Sequence, residues 1–525
     1  MPLRRDIVIL GSGFAGSLLG RLLTLRGREV LLVERESHPR FALGESSTPL
    51  AAIALERLAE RYDQPDLGAL AAHGRWVRQL PELRCGLKRG FTFYRHLPDA
   101  PYSNGAGNEA RLLVAASPGE EVADCQWMRA DVDAHLVERA RAAGVEYWDH
   151  ATVECVEAGP DGLRLTGRRD GRAFDVQARF VVDGSGAGQV LARHLSIPDC
   201  TAEIPFSSHL LFAHFEGTRP FAEVAAEAGA VMSAGPYEDD WAAVHHLLEE
   251  GWMYSLRFDE GLVSAGILIA GDRSALSLTD PAASWSEIVG RYPTLMEVFR
   301  EARPLGPGIR CAGPLPRRLQ WATGERYALL PQSFAFFDPL FSTGLAWSLL
   351  GVERLADLLE DGLPSPSGLQ RYDDLLRIEA NHQQALVEAA YSALPEFDVF
   401  RSLTFLYFAA ASFSEIRQRL LPWEGEGGSW AWEAFLGSED ERLCSMFQAS
   451  AERARAALAG GRGSVLEFSR WVQSGIASRN LIGLGDAADH LYGFDLDALL
   501  EHSDLVGLSR REMLQRLPRL RATGP

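Results

Sequence analysis

Lysine is almost missing from this chain: its 525 residues include 52 Lys and Arg together, and Lys88 is the sole lysine. Guanidinium stays protonated and delocalised, whereas a desolvated ammonium can lose its proton and act as a nucleophile. Lys88 is therefore either the remnant of a drift toward Arg or a position that needs a primary amine. Its setting, Gly86-Leu87-Lys88-Arg89-Gly90-Phe91-Thr92-Phe93, suggests a tight, partly buried site and favours the amine. Cysteine is sparse too. Cys85, Cys125, Cys155, Cys200, Cys311 and Cys444 make no CxxC pair and no metal-ligand spacing, so they read as free thiols in a reducing compartment, with no metal site expected. A basic surplus is lacking: a net charge of −19 repels nucleic acid and anionic membranes. Long apolar runs are lacking as well, since the stretch 403–413 is too short to span a bilayer. Met1-Pro2-Leu3-Arg4-Arg5-Asp6 enters a strand at once and leaves no room for a signal peptide, so a cytoplasmic enzyme is expected.

What is present begins with Asp6-Ile7-Val8-Ile9-Leu10, a continuous apolar run suited to a buried parallel strand. Gly11-Ser12-Gly13-Phe14-Ala15-Gly16 follows, then helical spacing over 17–26 and a second strand ending in Glu34. Glycines admit a pyrophosphate, a helix N-terminus favours its charge, and a carboxylate about twenty residues on meets ribose hydroxyls. This βαβ start predicts dinucleotide binding. The polar loop Arg40-Phe41-Ala42-Leu43-Gly44-Glu45-Ser46 replaces the next βα unit of an NAD dehydrogenase and favours FAD.

Further on, 51–62 reads as a helix, Lys88 as a loop or strand edge, and 91–94 as a strand. Residues 98–121 read as an irregular excursion. A helix is expected from Trp127-Met128-Arg129, with Asp131 or Asp133 in its first turn. An antiparallel meander is expected over 146–178, and another strand from 179 to the Asp183-Gly184 turn. Strands at 208–216, 251–258 and 262–270 suggest a second sheet. Ser342-Thr343-Gly344 opens an apolar helix whose free N–H groups suit an anion. Pro364-Ser365-Pro366-Ser367-Gly368 marks a boundary, followed by helices over 369–421 and 433–459. Their aromatics (Phe405, Tyr407, Phe408, Phe413, Trp423, Trp430, Trp432) read as core before substrate wall. The expected fold is α/β: an FAD-binding Rossmann-like domain (1–195 and 311–364), an inserted, mainly antiparallel β-sheet substrate domain (196–310) and a helical C-terminal region (365–525).

Four stretches together resemble the flavin-dependent halogenases, a branch of the FAD-dependent hydroxylase superfamily. They are Gly11 to Gly16, Gly44-Glu45-Ser46, the Lys-x-Gly-x-x-Phe of Lys88, Gly90 and Phe93, and the Phe-x-Pro-x-x-Ser-x-Gly of Phe337, Pro339, Ser342 and Gly344. The resemblance implies that reduced FAD, dioxygen and chloride or bromide give hypohalous acid, which a lysine delivers to an electron-rich aromatic ring. It implies FAD contacts at Gly11, Gly13, Phe14, Ala15, Gly16, Glu34, Arg40, Ser46, Arg129, Asp183, Gln332 and Gly344. It further implies halide binding at Thr343 and Gly344, catalysis by Lys88, and a substrate region near Trp252 and Phe341. As ammonium the lysine would donate to the acid oxygen; as free amine it would accept the halogen. A separate flavin reductase is expected, since no second GxGxxG is visible, and the substrate is free or tethered to a carrier protein.

Three places depart from the family pattern. Gly251-Trp252-Met253-Tyr254-Ser255-Leu256-Arg257 keeps only the first Trp of Gly-Trp-x-Trp-x-Ile-Pro, Pro331-Gln332 replaces Gly-Asp, and Phe341 stands where tryptophan halogenases carry Glu. The last favours a phenol or pyrrole over an indole. An FAD-dependent aromatic monooxygenase is the alternative that accounts for everything except Lys88. A flavin-linked double-bond reductase or a non-enzymatic flavin binder accounts for less. His245 or His246 is a candidate general base, with exposed helix or loop positions the commoner expectation.

Overall fold

The computed structural model describes residues 2–271, 278–420, 432–485 and 496–521. In chain order its principal strands are β1 (Leu3–Leu10), β2 (Val30–Val33), β3 (Cys85–Lys88), β4 (Gly90–Arg95), β5 (Arg111–Ala115), β6 (Asp124–Trp127), β7 (Glu146–Trp148), β8 (Ala151–Gly159), β9 (Gly162–Arg169), β10 (Arg172–Asp183), β11 (Ser208–Glu216), β12 (Ala243–Leu247), β13 (Gly251–Arg257) and β14 (Val263–Ala270).

The first sheet has a parallel centre, β10-β1-β2-β7, extended beyond β10 by Tyr327–Leu329. Ile7, Val8 and Ile9 are fully buried, as covering on both faces requires. Leu10 is in register with Asp183, so β1 and β10 end level and bring Gly11 beside Gly184. β8 and β9 fold antiparallel onto β10. The expected meander is corrected in two ways. β7 pairs in parallel with β2, and the segments on either side of Ala178 form one twelve-residue strand, because β10 bonds β9 along one edge and β1 along the other.

The second sheet runs β11-β14-β13-β12-β4-β5 and is antiparallel except where β12 meets β4. It therefore draws β4 and β5 from well before residue 196. β5 also corrects the reading of 98–121 as irregular throughout: Leu112, Leu113 and Val114 are buried against β4. Lys88 lies not on a loop but at the end of β3, which pairs with β6 in a two-stranded ladder. Only Arg89 separates β3 from β4, so the chain passes there directly from that ladder into the second sheet.

Helices Thr343–Leu359, Pro366–Ala393, Phe397–Leu420 and Glu441–Gly460 cover the sheets. The Pro-Ser-rich boundary becomes a helix start, with Ser365 Oγ accepting from Gly368 N–H. The expected helix over 433–459 begins later, at Glu441, where Asp440 caps it. One buried cluster reaches from Ile7 through Phe91 and Trp252 to Met513. It contains Phe405, Tyr407, Phe408, Phe413 and Trp432; Trp423 and Trp430 lie outside the described residues. Glu379 ties these helices together, accepting from Arg354 (2.6 and 2.9 Å), Trp347 Nε1 (2.8 Å) and Phe435 N–H (2.8 Å). Among the described residues no helix is long and apolar enough to cross a membrane.

Candidate functional site

The nucleotide cradle forms where β1 ends. Gly11 has φ +93°, and a Cβ there would stand 2.6 Å from Gly184 O; a Cβ on Gly16 would stand 2.1 Å from Gly11 O. Above Gly13 there is room instead: a Cβ would meet only Arg129, Asp133 and Arg40 side-chain atoms, none nearer than 3.8 Å. Gly13 precedes helix Phe14–Leu25, whose N-terminus has no side-chain cap. Ala15 lies half-buried in its first turn. Glu34 accepts from Ser12 N–H and Oγ (3.0 Å each), Glu36 N–H (3.0 Å) and Arg40 (3.3 Å). Burial pushes its carboxyl up, but Arg40 and these donors outweigh it and hold the group below its ordinary range.

Arg129 opens helix Arg129–Ala142 and grips Asp133 with two 2.8 Å bonds. It also donates to Leu43 O and Gly44 O and lies 4.7 Å over Phe14, fixing the Gly-Glu-Ser loop across the helix start. Ser46 Oγ and Arg40 Nε are buried without hydrogen-bond partners. Space over Gly13 near the Arg129 and Arg40 guanidiniums, uncapped helix N–H groups and unpartnered donors fit the phosphates and ribose of FAD. Asp183 plays an internal part: its oxygens accept from Ser185 and Leu191, holding the turn beside Gly11.

At Phe341 (φ 66°) and Ser342 (φ 55°) two successive left-handed residues turn the chain into helix Thr343–Leu359, again without a side-chain cap. A small cavity of about 10 Å³ borders this turn, lined by Gln332, Asp338, Thr343, Gly344, Trp347 and Gln383, among others. Gln332 Nε2 reaches Gly344 O at 3.4 Å.

Lys88 is fully buried, its Nζ donating to Ser47 O and lying 4.0 Å from the Phe91 ring centroid. Directly opposite in the β3–β6 ladder stands Asp124, whose Oδ2 is buried without a hydrogen-bond partner. Burial pushes the Lys88 ammonium down, countered in part by Asp124; burial pushes the Asp124 carboxyl up, countered in part by Lys88. Each group thus favours its neutral form less than burial alone would dictate, and the two are tied electrostatically across the ladder. Phe91 also lines a second cavity, of about 40 Å³, with Thr48, Ala115, Tyr407, Phe408, Ser412 and Glu415. Burial raises the Glu415 carboxyl, while Arg419 donates to it at 2.9 Å. Tyr407 stacks on Phe341 (4.4 Å, 18°) and donates to Phe341 O at 2.8 Å, joining this cavity to the Ser342 turn.

Lys88 connects to Phe341, next to the Thr343 turn, through the rings of Phe91 and Tyr407, while Trp252 stacks on His245 at 5.2 Å, which in turn stacks on Phe93 at 4.8 Å. His245 and His246 are neither exposed nor on a helix. They sit on β12, fully buried, where desolvation lowers both, His245 to about 3, so each stays neutral. The sequence reading missed Asp124, Glu415 and the cavity face of helix Phe397–Leu420. Alternation gave no signal for Asp124, since it shares its face with Gln126 opposite Cys125 and Trp127, yet both faces of this strand are buried.

A family model described as FAD binding domain matches residues 4–227. The chain is 27% identical over 431 residues to monodechloroaminopyrrolnitrin halogenase PrnC of Pseudomonas fluorescens, covering 78% of this chain and 72% of that protein. It is 28% identical over 354 residues to tetracycline 7-halogenase of Kitasatospora aureofaciens, covering 65% of this chain and 60% of that one. Among solved structures, halogenase PltM in complex with phloroglucinol and FAD superposes with a TM-score of 0.80 at 22% identity, over 93% of this chain and 99% of its own. That last likeness is one of fold.

Proposed function

From its place in the flavin-dependent halogenase family, as an FAD-binding oxidoreductase, we propose that this chain halogenates an electron-rich phenolic or pyrrolic ring through Lys88. The observation that carries this reading is a fully buried amine, paired with a buried carboxylate, beside an aromatic-walled cavity. Bound and reduced, FAD supplies with dioxygen the oxidising power that turns halide into hypohalous acid. The residues Gly11 to Gly16, Arg40, Ser46 and Arg129 would hold it, and a separate reductase would supply it reduced. The free N–H groups at Thr343 and Gly344 bind the halide.

Asp124 takes up the Lys88 proton, leaving a free amine. Its nitrogen attacks the halogen of the acid: the N–halogen bond forms, the halogen–oxygen bond breaks, and the departing hydroxide leaves as water with an N–H proton. A ring carbon then takes the halogen from nitrogen, and the proton that the ring loses returns to the amine through the neighbouring carboxylates. Phe341 offers no charge to steady a cationic ring, so the substrate's own heteroatom must do so. Phloroglucinol, bound in PltM, is a phenol of that kind.

The test supplies reduced FAD, oxygen and bromide with a panel of phenols, pyrroles and indoles. Brominated phenol or pyrrole is expected. Hydroxylated product without bromination would instead support the monooxygenase reading, which the altered Gly251-Trp252-Met253-Tyr254 stretch favours.

A further inference from the structure

Strand β3 carries reactive groups on both faces. Lys88 faces Asp124, while Cys85, three residues earlier, points to the other side. There Cys85 Sγ lies 3.5 Å from Asp259 Oδ2, and His73 Nε2 lies 3.5 Å from the same oxygen. Each residue offers one ligand atom, and the three atoms fall within 4.8 Å of one another. We propose that His73, Cys85 and Asp259 form a binding site for a thiophilic divalent cation, Zn²⁺ being the best chemical match.

The donor set is one nitrogen, one sulfur and one oxygen, the mixture that borderline-soft Zn²⁺ accepts. Ligand atoms at the corners of a zinc tetrahedron stand about 3.4–3.8 Å apart, given metal–ligand bonds of about 2.0–2.3 Å. Two of the present distances already meet that spacing. His73 Nε2 is buried and makes no hydrogen bond, so nothing competes for its lone pair. Backbone pairing of His73 N–H with Ala123 O (2.8 Å) fixes the start of helix His73–Gln79. The Asp259 side chain is 48% exposed, which gives the ion a route in and leaves the fourth corner to water.

Charge also balances, since a thiolate, a carboxylate and a neutral imidazole around Zn²⁺ sum to zero, as burial demands. Without a metal, Cys85 is a thiol with Asp259 Oδ2 at 3.5 Å. Binding breaks the S–H bond, forms the S–Zn bond and releases one proton to solvent, with no change of oxidation state. The bound ion would tie a helix start, the strand that ends in Lys88 and the turn after β13 into one unit.

The test strips the full-length protein with a chelator, dialyses it, and titrates Zn²⁺ by calorimetry in two buffers of different ionisation heat. One zinc per chain, about one proton released at neutral pH and a raised Tm are expected. Cys85→Ser and Asp259→Asn should each weaken binding at least about tenfold, and Cys444→Ser should leave it unchanged. Asp259 is half-exposed, so its variant keeps the test open if Cys85→Ser fails to fold. Absence of stoichiometric binding overturns the proposal, as does binding undiminished in Asp259→Asn or lost in Cys444→Ser.

Discussion

At the nucleotide cradle Arg129 is fully engaged by Asp133 and two backbone carbonyls, and Glu34 by Ser12, Glu36 and Arg40, while space stays open above Gly13. Around Lys88 the balance is reversed. The amine is shut off from solvent, Asp124 keeps an unpartnered oxygen, and the lysine nitrogen meets the Ser47 carbonyl and the face of Phe91. The first region binds by presenting charges already steadied by their neighbours. The second makes charge expensive: burial pushes the ammonium down and the facing carboxyl up.

The sharpest way to separate the two regions is Lys88→Met. Halogenation is expected to fall by about 10²–10⁴-fold while oxidation of reduced FAD continues, followed by product analysis and flavin absorbance in the same sample. Comparable loss of both would mean that the regions are not independent. Gly11→Ala acts on the other side of the comparison. A Cβ 2.6 Å from Gly184 O, at φ +93°, costs about 1–3 kcal/mol and displaces the cradle, so FAD affinity falls roughly tenfold or more and Tm drops; fluorescence titration and calorimetry report both.

Asp124→Asn tests the tie between the two groups. Because the Asp124 carboxylate raises the Lys88 pKa, its removal lowers that pKa further, and the acidic limb of the halogenation rate profile moves to lower pH. The maximum rate falls by about tenfold for want of the acceptor. A limb that stays put would detach Asp124 from the amine. The smallest effect is expected for Tyr407→Phe, which leaves Phe341 O without its 2.8 Å bond. About 1 kcal/mol of stability is lost, measured by chemical denaturation, with little change in FAD affinity.

The cradle was legible because its parts are contiguous: a glycine turn, its helix and the following carboxylate lie within 11–34. Most strands of the second sheet were legible from alternation. β5 was hidden by the Gly- and Asn-rich residues before it, and the long β10 by a change of partner that no local pattern records. The lysine was found by its solitude, but its burial was understated because β3 is only four residues long. Asp124 could not be matched to it, since ladder register is a tertiary fact. The histidines of β12 were misjudged for a related reason: polar side chains were read as exposed, although aromatic rings on both sides shelter them.

The single residue Arg89 between β3 and β4 has an engineering corollary. The amine is anchored where the small ladder meets the second sheet, whereas much of the cavity wall, Tyr407, Phe408, Ser412 and Glu415, belongs to one helix, Phe397–Leu420. On the function proposed above, delivery by Lys88 and selection of the ring fall to separate segments of chain. A library confined to that helix would test new acceptors while Lys88 keeps its place.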